Sequence, residues 1–183
     1  MNTELRHIKN ILLVEDDPRD VELTLTALAA HNLANKVTVV RDGEQALDYL
    51  YHRGAFKDRA DGNPVVVLLD SKMPKVTGLE VLKHIKGDAN LKMIPVVALT
   101  SALETPDLRE FYKHGVNAYV VKPVDFAEFM EAVKQLGVFW AAVNAPPPQP
   151  GRAEIAPHRG EAIAPGKSAV PNEIPAPHPP SGG

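Results

Sequence analysis

Four short apolar runs in this chain each end on side chains able to do chemistry. ILLV (11–14) is followed by Glu15, Asp16 and Asp17, VVVLL (65–69) by Asp70, VVAL (96–99) by Thr100 and Ser101, and AYVV (118–121) by Lys122. Carboxylates crowded together repel one another unless a cation sits among them. The chain has no cysteine, and no histidine adjoins these positions. Oxygen ligands then select a hard cation, Mg2+ above all, which keeps several waters and accepts a phosphate oxygen as a further ligand. A carboxylate can also attack phosphorus to give an acyl phosphate, a transfer that needs mostly in-line positioning and neutralised charge. The residues could divide that work. Asp70 is placed as nucleophile, Glu15, Asp16 and Asp70 as holders of the metal, and Thr100 as a hydroxyl donor to the phosphoryl group. The Lys122 ammonium would pair first with Asp70 and then with a phosphate oxygen.

Each of these residues alone has a plainer explanation. An Asp at a strand end commonly forms a turn or a cap, and for Asp17 that explanation is preferred because Pro18 follows it. A Thr ending a strand is β-favouring, and Lys-Pro is a turn signal. The chemical reading depends on all four strand ends lying on one edge.

The elements around them supply such an edge. Strands are expected at 9–15, 36–40, 64–70, 94–100 and 117–121, and helices from Pro18, at 43–52, at 78–86, from about Pro106 to His114, and at 125–143. Inward faces are expected at Val21, Leu25, Leu28 and Ala29, at Ala46, Leu47 and Leu50, and at Leu79, Leu82 and Ile85. In the last helix they are Phe126, Phe129, Met130, Val133, Leu136 and Trp140, with Val138 and Phe139 off that face. Residues 53–63 read as a long polar loop that Tyr51 and Phe56 could pin by packing. Strands that are continuously apolar imply a parallel sheet covered on both faces. In open sheets of that kind, ligands bind beyond the carboxyl ends of the strands.

The bulk numbers bound the rest. The 183 residues, 44% hydrophobic, suffice for one packed domain. A net charge of -3 and no basic run give no sign of nucleic-acid binding. No apolar run approaches a membrane span or the core of a signal peptide, so a cytoplasmic protein without a membrane partner is expected. Of 17 prolines, 11 fall after Ala145. The expected division is therefore a folded domain over 1–144 and a Pro-rich disordered tail over 145–183.

The pieces ILLVEDDP, VVLLDSKMPKVTGLEVL, PVVALTS and AYVVKP together closely resemble the receiver domain of two-component response regulators over residues 8–143. The resemblance implies an α/β fold, flavodoxin-like, with a doubly wound five-stranded parallel sheet in the order 2-1-3-4-5. It implies Asp70 as phosphoacceptor and Glu15 and Asp16 as the acidic pair. The backbone carbonyl of Lys72 would be a further ligand for Mg2+, Thr100 and Tyr119 the switch pair, and Lys122 the lysine that acts on the phosphoryl group. A cis Lys122–Pro123 bond is expected. The partner implied is a sensor histidine kinase. The stretch KPVDF, the long 53–63 loop and the ending QLGVFWAAVNAPPP resemble the single-domain receivers found beside phytochrome-like kinases, which also favours a homodimer. Ser71 stands where that subgroup often has Leu and Thr77 where it often has Asp, neither touching the reactive groups, and Glu15 replaces a commoner Asp, lengthening one arm by a methylene.

Three other readings are weaker. A phosphatase or phosphotransferase resembling the haloacid-dehalogenase family wants a second Asp two residues after the first, where this chain has Lys72. A flavodoxin-like nucleotide binder wants a phosphate cradle after the first strand, where EDDPRD would repel phosphate. A phosphorylation-independent scaffold would not need Asp70, Thr100 and Lys122 intact. The expected output is a phosphorylation-dependent change in the surface of the fourth helix, fifth strand and fifth helix, in a signalling module rather than an enzyme.

Overall fold

Every residue of β1 (Ile11–Val14), β3 (Val66–Asp70) and β4 (Val96–Thr100) is buried, which explains why their apolar runs do not alternate. The computed structural model describes residues 10–30, 32–33, 37–59, 62–101, 105–123 and 125–147. Two edge strands, β2 (Val37–Val40) and β5 (Ala118–Val121), complete a five-stranded sheet of order β2-β1-β3-β4-β5 in which every pairing is parallel. This is the flavodoxin-like order expected from the resemblance.

Five helices connect the strands. These are α1 (Pro18–Ala29), α2 (Gly43–Leu50), α3 (Gly78–Gly87), α4 (Thr105–Lys113) and α5 (Phe126–Val138), the last running into a π-helical turn at Phe139–Val143. One face of the sheet packs Val67, Leu69 and Ala98 with Leu50, Leu82 and Phe111. The other packs Leu13, Leu68 and Leu99 with Leu28, Phe129 and Val133. The helices begin where their caps dictate. Asp17 caps α1 through the backbone N–H of Arg19, with Pro18 as its first residue. Thr77 and Glu80 form a reciprocal capping box at α3.

Several expectations change in detail. Strands β1, β3 and β4 start two residues late; the Asn10 side chain bonds Thr38 and the Tyr49 hydroxyl, while the Asn10 and Pro95 carbonyls accept the N–H groups of Val65 and Val67. The buried stripe of α1 is Val21, Thr24, Ala27 and Leu28. Leu25 is half-buried and Ala29 exposed, because the stripe advances by three before it advances by four. Leu79 is likewise only half-buried, Val81 taking the buried place. In α5 Phe129 and Val133 are buried, Met130, Leu136 and Trp140 half-buried, and the Phe126 side chain lies outside the described residues. Val138 is half-buried and Phe139 is exposed.

The 53–63 loop contains a short 3-10 turn, Gly54–Phe56. Tyr49 is one of its anchors: Phe56 meets that ring edge-on and the Arg59 guanidinium lies 4.3 Å from its centre. Tyr51 contributes a contact with Arg53. The peptide bond between Lys122 and Pro123 is trans, as are all described peptide bonds, which corrects the cis expectation. Trans is favoured at X–Pro by about 0.5–1 kcal/mol, and here the Lys122 N–H still donates to the Thr100 carbonyl at 2.6 Å, continuing the β4–β5 ladder. The Pro-rich tail expected from 145 lies, from residue 148 onward, outside the described residues.

Gly78 brings α3 against the end of β3. A Cβ there would lie 2.2 Å from the Asp70 carbonyl and 3.0 Å from the Ser71 Cα, both backbone atoms that cannot rotate away. Gly78→Ala is therefore expected to cost about 1–3 kcal/mol by overpacking, and thermal unfolding followed by circular dichroism should show Tm lower by roughly 3–10 °C. A variant melting with the parent would mean that the β3–α3 junction yields freely.

Candidate functional site

The carboxyl ends of β1, β3 and β5 converge on one ammonium. Lys122 Nζ lies 2.6 Å from Glu15 Oε2, 2.7 Å from Asp20 Oδ2 and 2.9 Å from Asp70 Oδ1. Its side chain is only 10% exposed. Burial by itself would depress a lysine, but its bonds to Asp20, Glu15 and Asp70 outweigh that and hold Lys122 above its ordinary value. The lysine is thus a fixed positive charge.

Asp70 ends β3 in the middle of the sheet. Its Oδ1 faces Lys122, while its Oδ2 accepts the backbone N–H of Lys72 at 2.9 Å. The side chain retains 8% exposure, so it is recessed without being sealed. Glu15 is deeper still, and its Oε1 accepts the backbone N–H of Asp17 at 3.2 Å. Burial pushes the Glu15 carboxyl up to about 7, against the pull of Lys122 and with help from the charge on Asp70. Asp16 is exposed.

Carboxylate oxygens of Glu15, Asp16 and Asp70 lie within 4.8 Å of one another. This donor set, all oxygen and bearing more negative charge than one lysine neutralises, fits a hard divalent cation. A raised Glu15 is what such a cation would relieve.

The sheet register places the two remaining candidates. Thr100 pairs with Val121 and Ala98 with Tyr119, so Thr100 and Tyr119 are two steps apart on the same face. Thr100 is buried. The Tyr119 ring meets Phe111 of α4 edge-on at 5.5 Å, and its buried hydroxyl has no hydrogen-bond partner among the described residues. Beside the acidic cluster a cleft of about 520 Å³ runs between the β3–α3 loop and α4, with Asp16, Lys72, Met73, Asp107 and Phe111 in its walls.

Two contributors escaped the sequence reading. Asp20 has a ready explanation as an acid in the first turn of a helix, where the macrodipole favours it, so its reach to Lys122 was hidden. Lys75, in the left-handed conformation at φ 64°, bonds Asp42 at 2.8 Å and Glu44 at 3.3 Å. It ties the loop after Asp70 to the start of α2. Nothing in its spacing marks that role, because both partners lie more than thirty residues away.

Residues 11–134 match the family model of the response regulator receiver domain. Response regulator Rcp1 from Synechocystis sp. is 34% identical over 140 residues, covering 76% of this chain and 94% of Rcp1. The Mn(2+)-bound form of Rcp1 has TM-score 0.71 at 33% identity, over 76% of this chain and 99% of that one. The phosphorylated cyanobacterial phytochrome response regulator RcpA has TM-score 0.71 at 36% identity, with the same coverage. The bacteriophytochrome response regulator RtBRR is 58% identical with TM-score 0.62, over 76% of this chain and 84% of its own.

The raised Glu15 carboxyl has a measurable consequence. Between pH 4.5 and about 7 the metal-free folded protein holds a proton that the unfolded chain has released, so this group makes stability fall as pH rises through that window. In EDTA, Tm of Glu15→Gln should decline less from pH 5 to pH 7.5 than Tm of the parent. Parallel profiles would show that Glu15 titrates alike in both states.

Proposed function

This chain belongs to the response regulator receiver family, and from that premise we propose that it is a phosphorylation-operated signalling module with Asp70 as phosphoacceptor. The single observation that carries the reading is the Asp70 carboxylate lying 2.9 Å from the Lys122 ammonium within the acidic cluster of Glu15 and Asp16. The donor is a phosphohistidine on a sensor histidine kinase. The P–N bond breaks as an Asp70 oxygen bonds to phosphorus, the electron pair stays on the imidazole nitrogen, and that nitrogen takes a proton from water. Phosphorylated RcpA and the bacteriophytochrome regulator RtBRR support a kinase of the phytochrome type.

The metal we assign is Mg2+, held by Glu15, Asp16, Asp70 and the backbone carbonyl of Lys72. When bound, it supplies positive charge that offsets the phosphoryl oxygens. The chain's own residues do the rest. Lys122 exchanges its contact with Asp70 for one with a phosphoryl oxygen, and Thr100 donates its hydroxyl to another. The space that Thr100 vacates is then taken by Tyr119, whose unpartnered hydroxyl and contact with Phe111 couple the site to α4. The surface of α4, β5 and α5 changes as a result. Lys72, where an aspartyl phosphatase would carry its acid, supports a module that turns over no external substrate.

The receiver unit is assigned to residues 1–144, working in the cytoplasm, and the Pro-rich stretch 145–183, which from residue 148 lies outside the described residues, is left out of it. A second copy of the chain is the partner proposed for the end of α5. Val138, Phe139 and Val143 line an apolar groove of about 330 Å³ there, with Phe139 48% and Val143 68% exposed.

Asp70→Asn should abolish labelling by acetyl phosphate, and EDTA should do the same to the parent. Lys122→Ala should still be labelled while its partner-binding surface no longer responds. Undiminished labelling of Asp70→Asn would refute the assignment. Sedimentation velocity, with and without a phosphoryl mimic, should show a dimer that Phe139→Asp dissociates. A concentration-independent monomer in both states would remove the self-association proposal.

A further inference from the structure

Lys122 has three carboxylate partners, and two of them, Glu15 and Asp70, belong to the cluster that fits a divalent cation. Asp20 is the third and stands outside that cluster. Its Oδ2 lies 2.7 Å from Nζ, closer than Asp70 at 2.9 Å and nearly as close as Glu15 at 2.6 Å. The contact spans 102 residues of sequence, so only the fold brings it about. Its anchor is firm: Asp20 sits in the first turn of α1, whose start is set by Pro18 and by the Asp17 cap.

The charges define the problem. A divalent cation at Glu15, Asp16 and Asp70 would draw on two of the carboxylates that now hold the ammonium. Two cations on the same carboxylates repel one another. The lysine must then either leave the site or keep a counter-ion that the metal does not need.

We propose that Asp20 is a positioning residue that retains the Lys122 ammonium against α1 when a divalent cation takes up the acidic cluster, so that metal and lysine share the site without competing for Glu15 and Asp70. This rests on the metal-dependent reading given above. Asp20 touches neither the metal nor the phosphoryl group; it acts through Lys122. Removing it leaves the lysine only the carboxylates that the cation requires.

A double-mutant cycle separates this role from a general loss of negative charge. Mn2+ binding is read from the electron paramagnetic resonance signal of the free ion for the parent, Asp20→Asn, Lys122→Met and the double variant, with circular dichroism as a check of folding. Asp20→Asn should weaken binding about tenfold when Lys122 is present and by less than about twofold in the Lys122→Met background, a coupling of ordinary size for groups in contact. Asp20→Glu, which keeps the charge within reach of the lysine, should bind within about threefold of the parent.

Equal weakening in both backgrounds would reduce Asp20 to one more distant charge and overturn the proposal. So would an Asn variant that binds like the parent, or a Glu variant as weak as the Asn one. Should Asp20→Asn melt below the assay temperature, Asp20→Ser enters the same cycle with the same two outcomes. A parent that binds no Mn2+ would instead sink the metal reading itself, and the proposal with it.

Discussion

One ammonium surrounded by three carboxylates organises this molecule's working end. Lys122 reaches Glu15, Asp20 and Asp70 at 2.6–2.9 Å in a pocket that leaves its side chain 10% exposed. Ionisable groups so close would be costly to bury singly, and removing one partner would strand the others. Together they leave a formal excess of negative charge, to which the exposed Asp16 adds. The resting site is therefore electrostatically unfinished, and a cation or a change of phosphorylation state has something to act on.

The scaffold makes that concentration possible at the strand ends. Parallel pairing sends β1, β3, β4 and β5 out on the same edge, and the buried strands beneath them are apolar along their whole length until their final residues. The loop after Asp70 is confined by its surroundings. Gly78 admits close approach of α3, the Thr77–Glu80 capping box fixes where that helix begins, and Lys75 ties the loop to α2. On the opposite side, Tyr119 links the β5 edge to α4 through Phe111. Only β4 separates the strand that ends in Asp70 from the edge strand that carries Tyr119.

Much of this was legible in the residues alone. The five strands and five helices follow from apolar runs and caps, and the motifs around Asp70, Thr100 and Lys122 specify the family. The misses have physical causes. The inward stripe of α1 was misjudged because Thr24, a polar residue, occupies a buried place. At the 53–63 loop Tyr51 and Phe56 pack as expected, but the part of Tyr49, which receives both Phe56 and Arg59, was missed because that residue counts as part of a helix. The trans Lys122–Pro123 bond departs from the family-based expectation because the two isomers differ by too little free energy for composition to decide between them.

By itself the sequence determined which groups could do chemistry, the strands that carry them and the parallel sheet that gathers them, since burial and periodicity are local properties of the chain. Only the tertiary structure decided that Asp20 joins Glu15 and Asp70 on one lysine, that Lys75 reaches Asp42, and that the Tyr119 hydroxyl finds no partner among the described residues. Those are contacts between residues far apart in the chain, and their existence depends on distances of a few ångströms that no local pattern encodes.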